Sequence, residues 1–458
     1  MGEAPKRFRS VNPATEQLIS EYAPEKDISS KLTLARDAFR QWSRESIENR
    51  VSRLQALRQQ MLHHVDELAE LATVEMGKPI GQARAEVEKC ASLCDYYCEA
   101  GPAFLKPQQV TGNPATKSVV RFDPLGPILA VMPWNFPYWQ VMRFAVPSLL
   151  AGNVGILKHA SNVLGCALRI QQLFDAAGFP SGVFQSLNLH RDQLESVVSS
   201  DEIQAVTLTG SEAAGVAIAE QAGRALKKCV LELGGSDPFI VLPDADLTAA
   251  VKNAVTGRIQ NNGQSCIAAK RFIIHKDCHD QFLDQFCEAM QALRVGDPLD
   301  ETTELGPLAR EDLIEPLQKQ VDQTVKQGAT LRTGGHRLKR PGWYFAPTVL
   351  SEVTPKMTGF QEELFGPVAC VIRAESTEDA VQLANQSRYG LGASVWTSDI
   401  SKAEEIAASI EAGSVFINQV TSSHPTLPFG GIKKSGYGRE LSQFGIHEFV
   451  NIKTIWVQ

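Results

Sequence analysis

The stretch TLTGSEAAGVAIAEQAG, residues 207–223, changes its hydrophobic period at a single residue. Up to Thr209 it reads as a short β-rich burst. Gly210 opens a turn, Ser211 is placed to cap a helix, and the residues that follow have helical texture. A strand feeding directly into a helix leaves free N–H groups and a positive dipole end at the turn, which suits a phosphate. The spacing here is G-S-x-x-x-G from Gly210 to Gly215, not GxGxxG, so taken alone it is a weak dinucleotide signal.

Working outward, the same alternation recurs. Towards the N-terminus come the bursts SVVRFDPLGPILAVMPW and GNVGILKH and the helical stretch VLGCALRIQQLFDAAG. Towards the C-terminus, CVLELGG and DPFIVL follow, then KRFIIHK, GWYFAPTVL, VACVIRA, GASVWT and SVFIN. Helical stretches such as HDQFLDQFCEAMQALR, LIEPLQKQVDQTVKQG and STEDAVQLANQS separate these later strands. Such alternation predicts an α/β fold with parallel sheets of the kind that carries nucleotides. Two α/β units are expected, with a boundary near 233–250. Residues 26–108 read instead as helices, with Leu32, Ala35, Phe39 and Trp42 at helical spacing, and with further runs over roughly 45–75 and 80–105. The tail FVNIKTIWVQ is strand-like and free to pair with another element or another subunit.

At 458 residues, two or three domains are expected. A net charge of −7 argues against a nucleic-acid surface. The N-terminus MGEAPKRFRSVNP has no apolar signal core, and Lys6 stands where a myristoylation signal after Gly2 would need Ser or Thr. No run is long and apolar enough to span a membrane, so the expectation is a cytoplasmic protein. Nine cysteines without a CxxC pair or zinc spacing predict reduced thiols and no metal site. Cys90, Cys94 and Cys98 would share one helix face, which is expected to be apolar packing rather than a metal cage.

Against that background, several side chains can carry chemistry. Lys158 ends a strand, placing a cation at the carboxyl end of a sheet, where open α/β folds bind ligands. Glu232, in VLELGG, sits among apolar neighbours that would raise its pKa towards that of a general base; an edge-strand glutamate facing water is the competing reading. In NNGQSCIAAK (261–270), Asn262-Gly263 is a turn and Cys266 follows it, where backbone N–H groups can lower a thiol's pKa. PWNFP (133–137) holds Asn135 between prolines, with an amide able to donate to an oxyanion.

With VMPWNFP, LELGG, NNGQSC, EELFGP and PFGGIKKSGYGRE in this order, the chain resembles the aldehyde dehydrogenase superfamily along nearly its whole length. GRIQNNGQSCIAAKRFII and GRELSQFGIHEFVN are most similar to the bacterial succinate-semialdehyde dehydrogenase branch. The resemblance implies Cys266 as nucleophile, Glu232 as general base, and Asn135 with the Cys266 N–H as oxyanion hole. It implies Trp134, Lys158, Ser161, Gly210, Ser211, Gly215, Glu363 and Phe365 around a nicotinamide cofactor. The family fold implies a Rossmann-like cofactor domain (1–103 and 123–233), an α/β catalytic domain (234–426), and a small β bridging region (104–122 and 427–458). Such an arm joins subunits, so a homodimer or homotetramer is expected.

Many NAD-preferring relatives carry a glutamate three residues after the lysine matched by Lys158. Here that position is Ser161, with His159 alongside, so NADP is expected to be accepted and favoured over NAD. Arg143 matches a carboxylate-binding arginine of the succinate-semialdehyde branch, and Ser423 a serine used on the same carboxylate. A second arginine of that branch is replaced by Gln260. The expected reaction is therefore oxidation of succinate semialdehyde, with a broad aliphatic or aromatic aldehyde dehydrogenase as the alternative. A phosphorylating or CoA-acylating enzyme is disfavoured by Glu232. A thiol esterase would be a side activity of the same site. A catalytically silent binding protein is disfavoured because Cys266, Glu232 and Asn135 are all intact.

Overall fold

The computed structural model describes residues 7–458; Gly2 and Lys6 lie outside them. After an antiparallel pair of short strands, Phe8–Val11 and Leu18–Tyr22, come four helices: α1 (Ile28–Trp42), α2 (Ile47–His63), α3 (Val65–Met76) and α4 (Ile80–Phe104). Asp27 and Ser46 accept the N–H groups of Ser30 and Asn49, capping α1 and α2. Leu32, Ala35 and Trp42 enter the core and Phe39 lies partly buried against it. The run expected over 45–75 is two helices, broken at His64, whose backbone leaves the helical region (φ −110°, ψ 21°). Cys90 and Cys94 are wholly buried in the apolar face of α4.

Two sheets follow. In the first, the parallel strands Lys228–Glu232, Ala205–Thr209, Pro127–Met132, Val154–His159 and Phe184–Ser186 lie side by side in that order, with Gly436–Tyr437 antiparallel at the edge. The chain moves outward from Pro127–Met132 to Phe184–Ser186. It then returns to lay Ala205–Thr209 on the other side. The order reverses there, so the crevice beyond Met132 and Thr209 is the switch point where such sheets take ligands. Residues 233–236 carry the chain to the second sheet. That sheet runs Thr330–Thr333, Thr348–Ser351, Val368–Ala374, Ala269–His275, Asp237–Val241, Gly392–Trp396 and Ser414–Ile417. All of its neighbours are parallel except the first pair.

Of the expected strand GWYFAPTVL, only the end is a strand. Pro347 has no N–H for a ladder, and the regular pairing begins at Thr348. The tail pairs as Val450–Val457 along Lys117–Pro124, itself joined by Gln108–Gln109. Among the described residues, no helix is long and apolar enough to cross a membrane.

One helix brings the functional segments together. Helix α5 (Trp139–Ala151) is buried along its whole length, directly after PWNFP. Its first N–H groups, those of Tyr138 and Trp139, both donate to Glu86 Oε1 of α4 (2.8 Å each). A carboxylate at a helix N-terminus complements the dipole. Glu86 Oε2 is ion-paired with Lys78, and both side chains are buried. We expect Glu86→Ala to leave Lys78 uncompensated and the start of α5 uncapped, lowering unfolding stability by about 3–5 kcal/mol. Chemical denaturation of the two proteins checks this.

Candidate active site

The segment around Cys266 is a turn of unusual backbone. Asn261, Asn262 and Gly263 all adopt left-handed conformations (φ 56°, 58° and 74°). At Gly263 the space matters as well as the angle, since a Cβ there would lie 2.4 Å from the Gly366 carbonyl oxygen. The two asparagines are pinned by their side chains. Asn261 Nδ2 donates to the carbonyls of Asn135 (2.7 Å) and Gln264 (3.0 Å). Asn262 Nδ2 donates to Gly77 and Pro307, and its Oδ1 accepts from Gly306. Arg258, wholly buried, donates to the Gly263 carbonyl. Within 261–270, only Cys266 keeps partial exposure.

Asn135 meets this turn directly. Its Nδ2 donates to the Gln264 carbonyl (3.0 Å), and its Oδ1 accepts from Gln140 Nε2 (3.1 Å), which fixes the amide the right way round. One Nδ2 hydrogen remains for an oxyanion. The loop is further clasped by His159. Ala160 N–H donates to His159 Nδ1 (2.9 Å), so the imidazole carries its proton on Nε2 and gives it to the Pro137 carbonyl (2.9 Å). Burial holds His159 down at about 4, so it stays neutral. It faces inward and does not stand beside Ser161 as a cofactor contact.

Glu232 is not an edge glutamate facing water. Its strand lies between Ala205–Thr209 and Gly436–Tyr437, and the residue is 2% exposed. Burial drives its pKa well up, and the nearby carboxylate of Glu440 adds to this. Arg143 opposes both; its Nε is 2.7 Å from Glu440 Oε2, with both side chains buried. Two carboxyls thus share one guanidinium in a dry setting.

The thiol departs from the sequence expectation. Backbone N–H groups do not lower it; burial pushes Cys266 up to about 12, with Arg143 and then Lys270 pulling it back. Lys270, which sequence reasoning passed over, is fully buried, and its Nζ donates to the carbonyls of Ser265, Cys266 and Ala268 (2.8–3.1 Å). It fixes the peptide that carries the nucleophile and stands 3.5 Å from Glu363 Oε1. Glu363 also accepts from the Gly235 N–H (3.1 Å), so LELGG, NNGQSC and EELFGP meet at one carboxylate.

The other predicted cofactor residues line the switch-point side. Ser211 accepts from Ala214 N–H and caps the helix Glu212–Arg224, whose first N–H groups have no intrahelical acceptor. Gly215 permits close packing here, because a Cβ would sit 2.6 Å from Leu233. Gly210 N–H bonds the Glu232 carbonyl across strands. Ser161 is exposed at the turn after Val154–His159. Lys158 forms no ion pair among the described residues, and its amine is lowered to about 8 by burial and by Arg191. Trp134 packs edge-to-face on Phe365 (5.7 Å), joining PWNFP to EELFGP. A helix N-terminus, an unpaired ammonium and a serine in place of an acid fit a dinucleotide phosphate and ribose.

On the substrate side, Ser423 is buried, and its Oγ accepts from both Trp139 Nε1 and Lys89 Nζ (2.9 Å each). Arg143, one helical turn after Trp139, stacks on Phe429 (4.4 Å), and its Nη2 has no hydrogen-bond partner. Gln260 closes the helix Leu247–Ile259 and brings no charge. Among the described residues, no cluster of His, Cys, Asp or Glu is arranged to hold a metal.

Comparison with known proteins places this arrangement. The pattern of the aldehyde dehydrogenase family matches residues 1–455. The chain is similar to the NAD(P)+ succinate semialdehyde dehydrogenase Sad of Escherichia coli, at 52% identity over 98% of this chain and 97% of that one. It is similar to a probable NADP+ succinate-semialdehyde dehydrogenase of Synechocystis, at 49% identity over 98% and 99%. Among solved structures it is similar to the succinic semialdehyde dehydrogenase of Streptococcus pyogenes in complex with NADP+. There the TM-score is 0.96 and the identity 36%, covering 98% of this chain and 99% of that one.

The shared guanidinium makes the site's acid–base behaviour testable. Should Glu232 serve as a base it must be ionised, and its raised pKa would then favour activity on the alkaline side. Glu440→Gln removes a like charge and frees Arg143 for Glu232. We expect the rising limb of the pH profile of kcat/KM to move to lower pH, by on the order of one unit.

Proposed function

Because the chain belongs to the aldehyde dehydrogenase family, we propose that it oxidises succinate semialdehyde to succinate with NADP or NAD as the acceptor. The observation that carries the substrate is the buried Arg143, with an unpartnered Nη2 and acting by charge on Cys266, one helical turn after the Trp139 that donates to the Ser423 hydroxyl. These groups suit an aldehyde whose far end is a carboxylate.

Cys266 adds as the thiolate to the aldehyde carbon, and the oxygen that gains charge is met by Asn135 Nδ2 and the Cys266 N–H. A bound nicotinamide would supply the hydride acceptor that lets the carbon held on the Cys266 sulfur become an acyl group. Glu232 then takes a proton from water as it attacks the thioester, and the thiolate leaves. Lys270 keeps the Cys266 peptide fixed, and Asn135 is kept in orientation by Gln140. Residues 1–103 and 123–233 hold the cofactor, with Trp134, Lys158, Ser161, Gly210, Ser211, Gly215, Glu363 and Phe365 around it. Residues 234–426 carry the nucleophile, and 104–122 with 427–458 form the bridge. Ile452, Trp456 and Val457 are exposed on the outer strand of that bridge, which favours a homodimer or homotetramer. A cytoplasmic location belongs to this reading, in keeping with nine cysteines that are all unpaired.

Arg143→Ala is expected to raise KM for succinate semialdehyde by roughly 10- to 100-fold, as loss of a charge-assisted contact implies. KM for butanal should move little. Equal effects on both aldehydes in steady-state assays would refute the assignment.

Ser161, with Lys158 three residues before it and the charge of Arg191 acting on that lysine, favours a 2′-phosphate. NADP is therefore expected to be preferred, and Ser161→Glu to shift the preference towards NAD by roughly tenfold or more, since like charges repel. Kinetics with both cofactors decide this, and a strong NAD preference in the unaltered enzyme would sink it.

A further inference from the structure

Lys89 lies on α4, far in sequence from every motif, yet it reaches the substrate side of the site. Glu86, three residues earlier on the same helix, holds the start of α5, and this docking brings Lys89 over Trp139. Its Nζ stands 4.4 Å from the indole centroid and donates to Ser423 Oγ (2.9 Å). The ammonium is half-buried and forms no ion pair among the described residues. The nearest carboxylate, Glu86, is already engaged by Lys78 and two backbone N–H groups.

Arg143 follows Trp139 by one turn of α5, and its charge acts on Lys89, so two cations bear on the surroundings of Ser423. Burying like charges together is unfavourable unless an anion comes between them. Ser423 points the same way. Its oxygen already accepts from Lys89 and Trp139, so both lone pairs are taken and its own O–H proton is available to donate. A lysine with two unused N–H groups, a hydroxyl obliged to donate and an unpartnered arginine N–H form a receptor for a carboxylate.

We propose that Lys89 is a substrate-binding residue that, with Arg143 and Ser423, holds the carboxylate of the aldehyde substrate, supplying from α4 the second positive charge that Gln260 cannot. The proposal rests on the succinate-semialdehyde reading above and adds a residue to it. It also predicts how recognition depends on pH. The charged and titratable groups acting on Lys89 are Arg143 on α5, and Glu86 and Cys90 on α4; Trp139 and Ser423, also against it, do not titrate in this range. Burial first, and Arg143 second, hold the amine at about 8. The charge is present below that pH and is lost as pH rises through it.

The test compares succinate semialdehyde with butanal for the whole enzyme and for Lys89→Met. We expect Lys89→Met to raise KM for succinate semialdehyde roughly tenfold or more, leaving KM for butanal and both kcat values within about twofold. In the unaltered enzyme, the ratio of kcat/KM for the two aldehydes cancels the titration of Cys266 and Glu232. That ratio should fall between pH 7 and 9, and should be flat in Lys89→Met. If the variant fails to fold, the unaltered enzyme's ratio still decides: a flat profile overturns the proposal. An unaltered enzyme with no preference for the carboxylated aldehyde sinks the substrate reading itself. A preference that survives Lys89→Met unchanged, or a variant that affects both aldehydes alike, overturns the assignment of Lys89 alone.

Discussion

Asn261, Asn262 and Gly263 pass in succession through the left-handed region of backbone space, which L-residues with side chains enter only at a cost. What keeps them there is a set of side-chain hydrogen bonds that reach groups outside the turn. Asn261 ties it to the PWNFP loop, Asn262 to the carbonyls of Gly77 and Pro307, and Arg258 to the Gly263 oxygen. Each tether reaches a different part of the chain, so the turn forms only when those parts are in place. It then delivers Cys266, alone in its segment, to a partly open position. The nucleophile is a product of the tertiary structure and has little local character.

The electrostatics follow the same logic. Desolvation pushes both Cys266 and Glu232 towards their neutral forms, so the fold by itself favours the charged state of neither. The cations that oppose this, Arg143 and Lys270, are each already committed to another partner. Arg143 leans on Glu440, and Lys270 on three carbonyls and Glu363. Activation is thus a redistribution of charges already buried, and a small change in what Arg143 faces alters both the thiol and the base. In a dry site such shifts are large because little water is present to mask them.

The α/β alternation was legible because strand and helix periods differ and because most strands are buried on both faces. The hairpin of Phe8–Val11 and Leu18–Tyr22 escaped notice because it is short and largely exposed, with Leu18 and Ile19 facing outward. GWYFAPTVL misled because its apolar content reflects packing of an irregular segment, not a ladder. Within the site, Cys266, Glu232 and Asn135 stood out by their neighbours in sequence. Glu440 and Lys270 did not, since each looks like an ordinary surface charge until the fold buries it. His159, next to Lys158 in sequence, is a clasp for the PWNFP carbonyl, a role set by a partner 22 residues away.

Lys89 is the most instructive of the residues not singled out in the sequence. The buried positions of α4 include Glu86, Val87, Cys90, Leu93 and Cys94, and Lys89 lies next to that stripe, three residues after one buried member and four before another. A lysine there is out of place for a packing face, and that anomaly was the readable signal. Its meaning needed α5. Glu86 secures the start of α5, and Lys89 meets the first residue of that helix, so a single helix face both anchors α5 and reaches Trp139 and Ser423. Those two tasks use different side chains. The face can therefore change its choice of substrate at Lys89 while Glu86 continues to hold the catalytic loop in register.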